Sequence, residues 1–134
     1  NLKVEQRTVL NDKTWQPFKL ATIADEIAKG RVVFVDVTAD WCLTCKVNKS
    51  LVLERGEVAG RLATSAVTAM KADWTMPDPR ISAYLTGFGR YGIPFNAVYG
   101  PAAPAGIVLP ELLTTGIVLE AISRAARSAT AATN

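Results

Sequence analysis

The stretch RVVFVDVTADWCLTCK, residues 31–46, decides the fold. It begins with a nearly continuous apolar run, Arg31 to Val37, that is rich in β-branched residues. Such a run is typical of a strand that is buried on both faces and lies centrally in a sheet covered by helices. Thr38 to Trp41 form a short loop, and from Cys42 the pattern becomes helical. The stretch therefore predicts a central strand that leads to two cysteines at the start of a helix.

The apolar spacing on both sides of this stretch predicts the other elements. Helices are predicted at about 17–30, 42–55, 57–63, 80–88 and 115–127, and strands at 31–37, 66–72, 95–99 and 107–109. Helices that alternate with buried strands, followed by a hairpin and a closing helix, predict an α/β fold with a central mixed sheet flanked by helices. We divide the chain into an extended lead-in (residues 1–14), one domain (15–127) and a frayed C-terminal tail (128–134).

The composition limits the classes of function. A chain of 134 residues with 49% hydrophobic residues can bury a core without cross-links, so its two cysteines should be there for chemistry. The net charge of +3 includes no dense basic run, which argues against nucleic-acid binding. The chain has no histidine, which excludes Cys-His and Ser-His hydrolases and any zinc site that needs imidazole.

The sequence shows no signal for membrane insertion or targeting. No apolar stretch approaches the roughly 20 residues that a membrane span requires. The polar start, Asn1 to Asn11, has no initiator Met and no signal peptide. We therefore expect a soluble piece of a longer protein.

Cys42 and Cys45 form a Cys-x-x-Cys motif at the predicted helix start, and we interpret the pair as a thiol–disulfide redox centre. Residues three apart share a helix face, so the two sulfurs can form a disulfide. The helix N-terminus favours negative charge, which lowers the pKa of the Cys42 thiol and makes it the nucleophile. Cys45, one turn further along, is the less exposed thiol and resolves the mixed disulfide that Cys42 forms.

Other readings of the cysteine pair compete with redox chemistry. A structural disulfide here would close a very small loop and stabilise little. Half of a zinc site would need two more ligands, which only carboxylates could supply. Two buried structural thiols are a further alternative, although the helix start argues against burial of Cys42.

Asp36 is a carboxylate inside the apolar strand, where burial is costly unless the group has a purpose. It precedes Cys42 by six residues, so it can lie beneath the helix start near Cys45. Burial would raise its pKa and allow it to accept the Cys45 proton. Alternatively, Asp36 points to solvent at the end of the strand. Lys49 either favours the thiolate or is a solvated helix residue.

Three further residues are candidates for binding a partner. Pro94 precedes a strand, and a cis peptide bond there would leave the backbone of Ile93 free to pair with a partner peptide. Spacing alone does not establish the cis form, because most X-Pro bonds are trans. Trp41 would form a partly exposed platform beside the Cys42 sulfur.

Several motifs together resemble a known family. The strand, Asp36, residues 39–46 and Gly92-Ile93-Pro94 resemble the thioredoxin superfamily. Residues 38–42 with Leu-Thr between the cysteines, together with residues 71–75, 89–94 and 108–114, resemble the C-terminal periplasmic domain of the DsbD/ScsB family of membrane thiol:disulfide interchange proteins. The resemblance is closer to the ScsB branch and covers roughly residues 15–127.

This resemblance implies a thioredoxin-like fold and an oxidoreductase that needs no bound cofactor or metal beyond its Cys42–Cys45 disulfide. It implies that Cys42 attacks, that Cys45 resolves, that Asp36 is the buried acid and that Pro94 is cis. The electron donor would be a transmembrane domain of the same polypeptide, and the acceptor a periplasmic thioredoxin-like or N-terminal domain. We expect a periplasmic, monomeric domain of an inner-membrane protein. DsbD itself often has a glutamate where Lys49 stands, so its cysteine pKa values cannot be transferred directly.

Two other functions remain open at this point. One is a stand-alone thioredoxin-like reductase or oxidase of another pathway. The other is a redox-inactive module that binds peptides along the edge at Ile93 and Pro94.

Overall fold

The protein is described by a computed structural model that covers residues 14–127. Its strands are β1 (Trp15–Pro17), β2 (Val32–Thr38), β3 (Val67–Asp73), β4 (Phe95–Gly100) and β5 (Ala103–Val108). Its helices are α1 (Leu20–Ala28), α2 (Leu43–Asn48), α3 (Gly56–Leu62), α4 (Pro79–Gly87) and α5 (Thr115–Ala126), and a π-helical turn (Lys49–Leu53) follows α2. Most of the expected lead-in and the expected tail lie outside the described residues.

The five strands form one mixed sheet in the order β1-β3-β2-β4-β5. Strands β1 and β2 both run parallel to β3, while β4 runs antiparallel to β2 and to β5. Strand β2 is central, and every residue from Val32 to Val37 is buried. The predicted mixed sheet with a central, doubly covered β2 is therefore confirmed.

Alternate residues of β2 face two different hydrophobic cores. Val32 and Phe34 pack with residues of α3 and α5, whereas Val33, Val35 and Val37 pack with residues of α1 and α4. Asp36 is in phase with Val32 and Phe34. It therefore points to the side of the sheet that carries the π-helical turn, and this placement brings a carboxylate beneath the segment that follows the cysteines.

Strand β1 is an element that the sequence pattern does not predict. It has three residues and runs parallel to β3, with Trp15 opposite Ala69. The Trp15 ring packs edge-on against Phe34 with 6.2 Å between ring centroids. A strand this short has too few residues to show an alternating pattern, and its partner is more than 50 residues away in the sequence.

Strand β5 begins at Ala103, whereas the sequence pattern predicts a start at Ile107. Pro104 lies within the strand, although its presence argues for a turn. A proline is tolerated here because β5 is the edge strand of the sheet, where a backbone N–H that faces away from β4 has no strand to bond with.

The second helix differs from the prediction in its winding. The predicted helix runs from Cys42 to about Arg55, but the α-helix ends at Asn48 and continues as the π-helical turn to Leu53. Asn48 fixes this end of the helix, since its Nδ2 donates to the Glu111 carbonyl at 2.8 Å and its Oδ1 accepts from the Leu113 N–H at 3.0 Å.

The apolar residues of α1 recur at three- and four-residue spacing, as on one face of a helix, but they do not all face the core. Leu20 and Ala24 are exposed, while Ile23 and Glu26 are buried. Glu26 is stabilised by a hydrogen bond from Thr68 at 2.5 Å and by ion pairs with Arg31 and Lys29. The Thr68 hydrogen bond is the main reason that the pKa of Glu26 falls to about 2. An apolar spacing rule does not find a buried charge whose partners come from other elements.

Candidate active site

The two cysteines form a disulfide at the first turn of α2. Cys42 is the N-cap residue, with extended backbone angles of φ −90° and ψ 103°. The Cα atoms of Cys42 and Cys45 are 5.3 Å apart, and the Cys45 N–H donates to the Cys42 Sγ at 3.2 Å. A backbone N–H of the first turn, which has no partner within the helix, is thus directed at the Cys42 sulfur. The same interaction favours a Cys42 thiolate when the pair is reduced.

The exposure of the cysteines corrects one expectation. The helix start argued against burial of Cys42, yet Cys42 is 6% exposed and Cys45 is 4% exposed. Both pack with Ala39 and Ile93 in a small cluster of their own. In this oxidised form the loop and Ile93 cover the disulfide, so a large difference in exposure does not distinguish the two sulfurs.

A second loop holds the segment that leads into the cysteines. Thr75 accepts a hydrogen bond from the Asp40 N–H on its Oγ1 at 2.9 Å, and its carbonyl accepts from the Trp41 Nε1 at 3.1 Å. The Thr75 hydroxyl in turn donates to the Asp73 carboxylate at 2.5 Å. These contacts fix Trp41, which leads directly to Cys42. We call the contacts of Thr75 with Asp73, Asp40 and Trp41 the Thr75 clamp.

Exposed apolar side chains lie close in sequence to the disulfide and to the segments that pack on it. Trp41 and Leu43, on either side of Cys42, are 61% and 77% exposed. Met76 follows Thr75, and Tyr91 precedes Ile93 by two residues; both are exposed. Trp41 is thus partly exposed, as the sequence predicted, and its ring is available for contact.

Ile93, which directly precedes Pro94, lies beside the cysteines. The Ile93–Pro94 peptide bond is cis, the form that the family resemblance implied. The Ile93 side chain packs against the cysteine cluster. Within residues 14–127, the N–H and C=O groups of Ile93 make no hydrogen bond. These two groups can therefore pair with an extended segment of another chain.

Asp36 is buried, which excludes the alternative in which it points to solvent. Burial raises the pKa of its carboxyl to about 6, and a hydrogen bond from Asn96 together with the charges of Lys71 and Lys49 opposes this rise. The Asn96 Nδ2 donates to the Asp36 Oδ1 at 2.8 Å. With this pKa the carboxyl can both accept and release a proton near neutral pH.

Asp36 lines a cavity of about 220 Å³ with Lys49, Glu54 and Lys71 among its neighbours. The cavity is polar and large enough for water. Lys49 also lines this cavity and its Nζ lies 3.7 Å from the Glu54 Oε2, while half of its side chain is exposed to solvent. The lining of this cavity includes neither cysteine, so the structure does not bring Cys45 and Asp36 together in it.

Three residues of this region have no role assigned to them in the sequence analysis. Asn96 is an amide inside the apolar β4 run, which is the same signal that identified Asp36 in β2. Lys71 lies opposite Asp36 in the pairing of β2 with β3, which only the sheet register reveals. Thr75 lies in the motif at residues 71–75, but its role could not be assigned, because its partners Asp40 and Trp41 come from another loop.

The sequence matches the family model described as thioredoxin-like over residues 14–101. The chain belongs to this thioredoxin-like family. With its Cys-x-x-Cys disulfide it is a thioredoxin-like disulfide oxidoreductase. A search of curated protein sequences finds no significant match to this thioredoxin-like protein.

Solved structures share the fold of this thioredoxin-like protein at low identity. The oxidised C-terminal domain of Neisseria meningitidis DsbD matches with a TM-score of 0.61 and 22% identity, over 78% of this chain and 90% of that chain. A thioredoxin from Thermus thermophilus matches with a TM-score of 0.56 and 22% identity, over 79% and 78%. A mutant thioredoxin from Halobacterium salinarum matches with a TM-score of 0.56 and 16% identity, over 84% and 89%.

The described part of the thioredoxin-like protein offers neither a metal centre nor a membrane span. Within the range 14–127, no group of three or more carboxylate or thiol side chains is close enough together to hold a metal ion. Over the same residues, no helix has the length and apolar character to cross a membrane.

Proposed function

We propose that this domain relays two electrons by thiol–disulfide exchange, from a transmembrane domain of the same polypeptide to a periplasmic partner. The observation that carries the exchange chemistry is the disulfide at the first turn of α2, beside the Ile93 backbone, which has no hydrogen-bond partner among residues 14–127. The relay role is supported by the motifs at residues 38–42, 71–75, 89–94 and 108–114, which resemble the DsbD/ScsB family. A DsbD C-terminal domain is also among the structural matches.

In the proposed exchange, the Cys42 thiolate attacks one sulfur of a partner disulfide. A Cys42–partner disulfide forms, and the other partner sulfur leaves as a thiolate. Cys45 passes its proton through water to Asp36 and then attacks the Cys42 Sγ. The Cys42–Cys45 disulfide forms, and the second partner thiolate leaves. The partner gains two electrons and the domain loses two, and a donor dithiol then reduces the domain by the same steps in reverse.

Partner binding in this proposal uses the surface around the disulfide. A partner segment would pair with the backbone of Ile93, as a strand adds to a sheet edge, while Trp41 and Leu43 contact its side chains. No bound cofactor or metal takes part. The proposed location is the periplasm, where the domain would act as a monomer because the disulfide must stay accessible to two partners in turn.

The relay can be tested in the full-length protein. The gene should encode several membrane spans upstream of Asn1, and a full-length chain without any span would overturn the relay. In membranes supplied with reduced cytoplasmic thioredoxin, alkylation should trap Cys42 and Cys45 as thiols. The matched control replaces the cysteines of the transmembrane domain by alanine and should leave the pair oxidised.

A stand-alone thioredoxin-like reductase or oxidase is the second candidate. It is favoured by the thioredoxins that match the fold with TM-scores only slightly below that of the DsbD domain. If the domain lies in a chain with no membrane span and still exchanges disulfides, this second function applies.

A further inference from the structure

Asn96 is a fully buried amide in the middle of the sheet. It lies in β4 directly opposite Asp36 of β2, and it is 1% exposed. Its Nδ2 donates to the Asp36 Oδ1 at 2.8 Å and, over a longer distance of 3.4 Å, to the Val35 carbonyl. Its Oδ1 is buried and has no hydrogen-bond partner within the described residues.

The unpaired Oδ1 shows that packing alone does not explain Asn96. A buried carbonyl oxygen without a partner is unfavourable, and a leucine of similar volume at this position would avoid it. The amide provides an N–H donor to Asp36, which a leucine cannot provide. The contact with the carboxyl is therefore the feature that sets this residue apart.

We propose that Asn96 is a positioning residue for Asp36, holding Oδ1 with its amide N–H so that Oδ2 is the oxygen that exchanges the proton with the cavity. This inference rests on the proposed function, in which Asp36 accepts the Cys45 proton. Asp36 Oδ2 makes no hydrogen bond within the described residues, and the side chain lines the cavity. The amide does not titrate, so it can donate to Oδ1 both before and after the proton arrives.

The other charged groups around Asp36 do not replace this contact. The same cavity is lined by Lys71 of β3, by Lys49 at the start of the π-helical turn and by Glu54 directly after it. None of them forms an ion pair with Asp36 in the described part of the chain. Trp15 of β1 and Thr38 complete this side of the cavity. Among the described residues only Asn96 donates a hydrogen bond to the carboxyl, and a donor stabilises the carboxylate more than the acid.

The test compares wild type with Asn96→Leu, which removes the donor and the unpaired acceptor together. The pKa of Asp36 is measured by carbon-13 NMR of its carboxyl in the oxidised protein. Loss of a hydrogen bond to a charged group should raise this pKa by about one to two units. The pH midpoint of the resolving step, measured by stopped-flow as release of the thiol from a mixed disulfide between Cys42 and a model compound, should move upward by a similar amount. An unchanged Asp36 pKa in the variant overturns the inference.

Two further measurements keep the test decisive. In wild type, the proton and nitrogen chemical shifts of the Asn96 side-chain amide should change with the same pH midpoint as the Asp36 carboxyl. This measurement does not depend on a variant that folds. Amide chemical shifts that stay constant through the Asp36 titration would contradict the inference. In the Asp36→Asn background, Asn96→Leu should no longer move the pH midpoint. If Asp36→Asn leaves the resolving step unchanged while the NMR shift is seen, the acid role in the proposed function fails, but the Asn96–Asp36 contact stands.

Discussion

At the scale of single residues, the two cysteines have different roles that substitution can separate. Cys45→Ser should accumulate a stable mixed disulfide between Cys42 and a model disulfide substrate, because the resolving thiol is missing. Cys42→Ser should accumulate none, because the backbone N–H of the first turn is directed at the Cys42 sulfur, so Cys42 and not Cys45 is the activated thiolate. Intact mass spectrometry after acid quenching measures both. A mixed disulfide that forms faster on Cys45 than on Cys42 reverses the assignment.

The buried acid gives a second prediction at this scale. Asp36→Asn keeps the shape of the side chain but removes the proton acceptor, so it should slow the resolving step by roughly 10- to 100-fold or more near neutral pH. The wild-type rate should depend on a group with a pKa of about 6, and this dependence should disappear in the variant. Stopped-flow rates measured across the pH range around this value provide the test, and an identical pH profile in both proteins rules out the acid–base role.

Most of the candidate site could be predicted residue by residue from the sequence. Cys42 and Cys45 follow from their spacing and from the strand before them, and Asp36 follows from its polar side chain in an apolar strand. Asn96 carries the same signal and could have been found. The contribution of Lys71 could not, because it depends on the register that places it opposite Asp36. The burial of Cys42 could not be predicted either, because Ile93 covers it from a distant part of the chain.

At the scale of elements, the Thr75 clamp connects the loop after β3 with the loop before α2. Thr75→Val removes two side-chain hydrogen bonds: the Asp40 N–H loses its acceptor, the Thr75 Oγ1, and the Asp73 carboxylate loses the Thr75 hydroxyl donor. The free energy of unfolding should fall by about 1–2 kcal/mol, and exchange should slow because Trp41 and Cys42 are less well fixed. Denaturant unfolding and exchange rates measure these effects.

The matched control for the clamp is Thr75→Ser, which keeps the hydroxyl and should behave like wild type. The pKa of Asp73 reports directly on the Thr75 hydroxyl, because hydrogen bonds from Thr75 hold this pKa below its usual range. That pKa should rise in Thr75→Val and stay low in Thr75→Ser. Equal Asp73 pKa values in the two variants would show that the hydroxyl is not what binds the carboxylate.

Element prediction succeeds where apolar patterns are long and fails where tertiary contacts decide. Strand β2 and helix α5 have continuous or periodic apolar residues that identify them. Strand β1 exists because Trp15 packs on Phe34 and pairs with β3, and neither partner is near it in sequence. Strand β5 accepts Pro104 because it forms the edge of the sheet. The π-helical turn likewise has no local signal.

At the scale of the whole molecule, the closing helix α5 must approach the sheet closely. A Cβ atom at Gly100 would clash with the Ala125 carbonyl oxygen, which is backbone and cannot move away easily. Gly100→Ala should therefore lower the free energy of unfolding by about 1–3 kcal/mol or more. The control is Gly116→Ala in α5, where a Cβ meets nothing within 4 Å, and it should be neutral or slightly stabilising. Thermal or denaturant unfolding distinguishes the two.

The stability of the whole fold should also depend on pH through Asp36. Its pKa rises from 3.8 to about 6 on folding, because burial disfavours the carboxylate. As pH increases through this window the unfolded chain releases the proton first, so the native state binds more protons and the free energy of unfolding falls. The contribution of Asp36 to the free energy of unfolding is fully present below pH 3.8 and is lost above about pH 6. This contribution amounts to about 3 kcal/mol. Asp36→Asn should lack this component, and the difference between the two proteins should therefore change across the window. A constant difference would contradict the burial argument.

The claim that the Cys42–Cys45 pair is a redox centre acting as a reductant is tested most directly by its equilibrium with glutathione. The protein is equilibrated in glutathione buffers of graded potential and quenched with an alkylating reagent, and its thiols are counted by mass. We predict a single two-electron transition at a potential nearer to the roughly −270 mV of thioredoxin than to the roughly −120 mV of the oxidant DsbA. A pair that never changes state across the series, or one with a potential close to that of DsbA, would contradict the account.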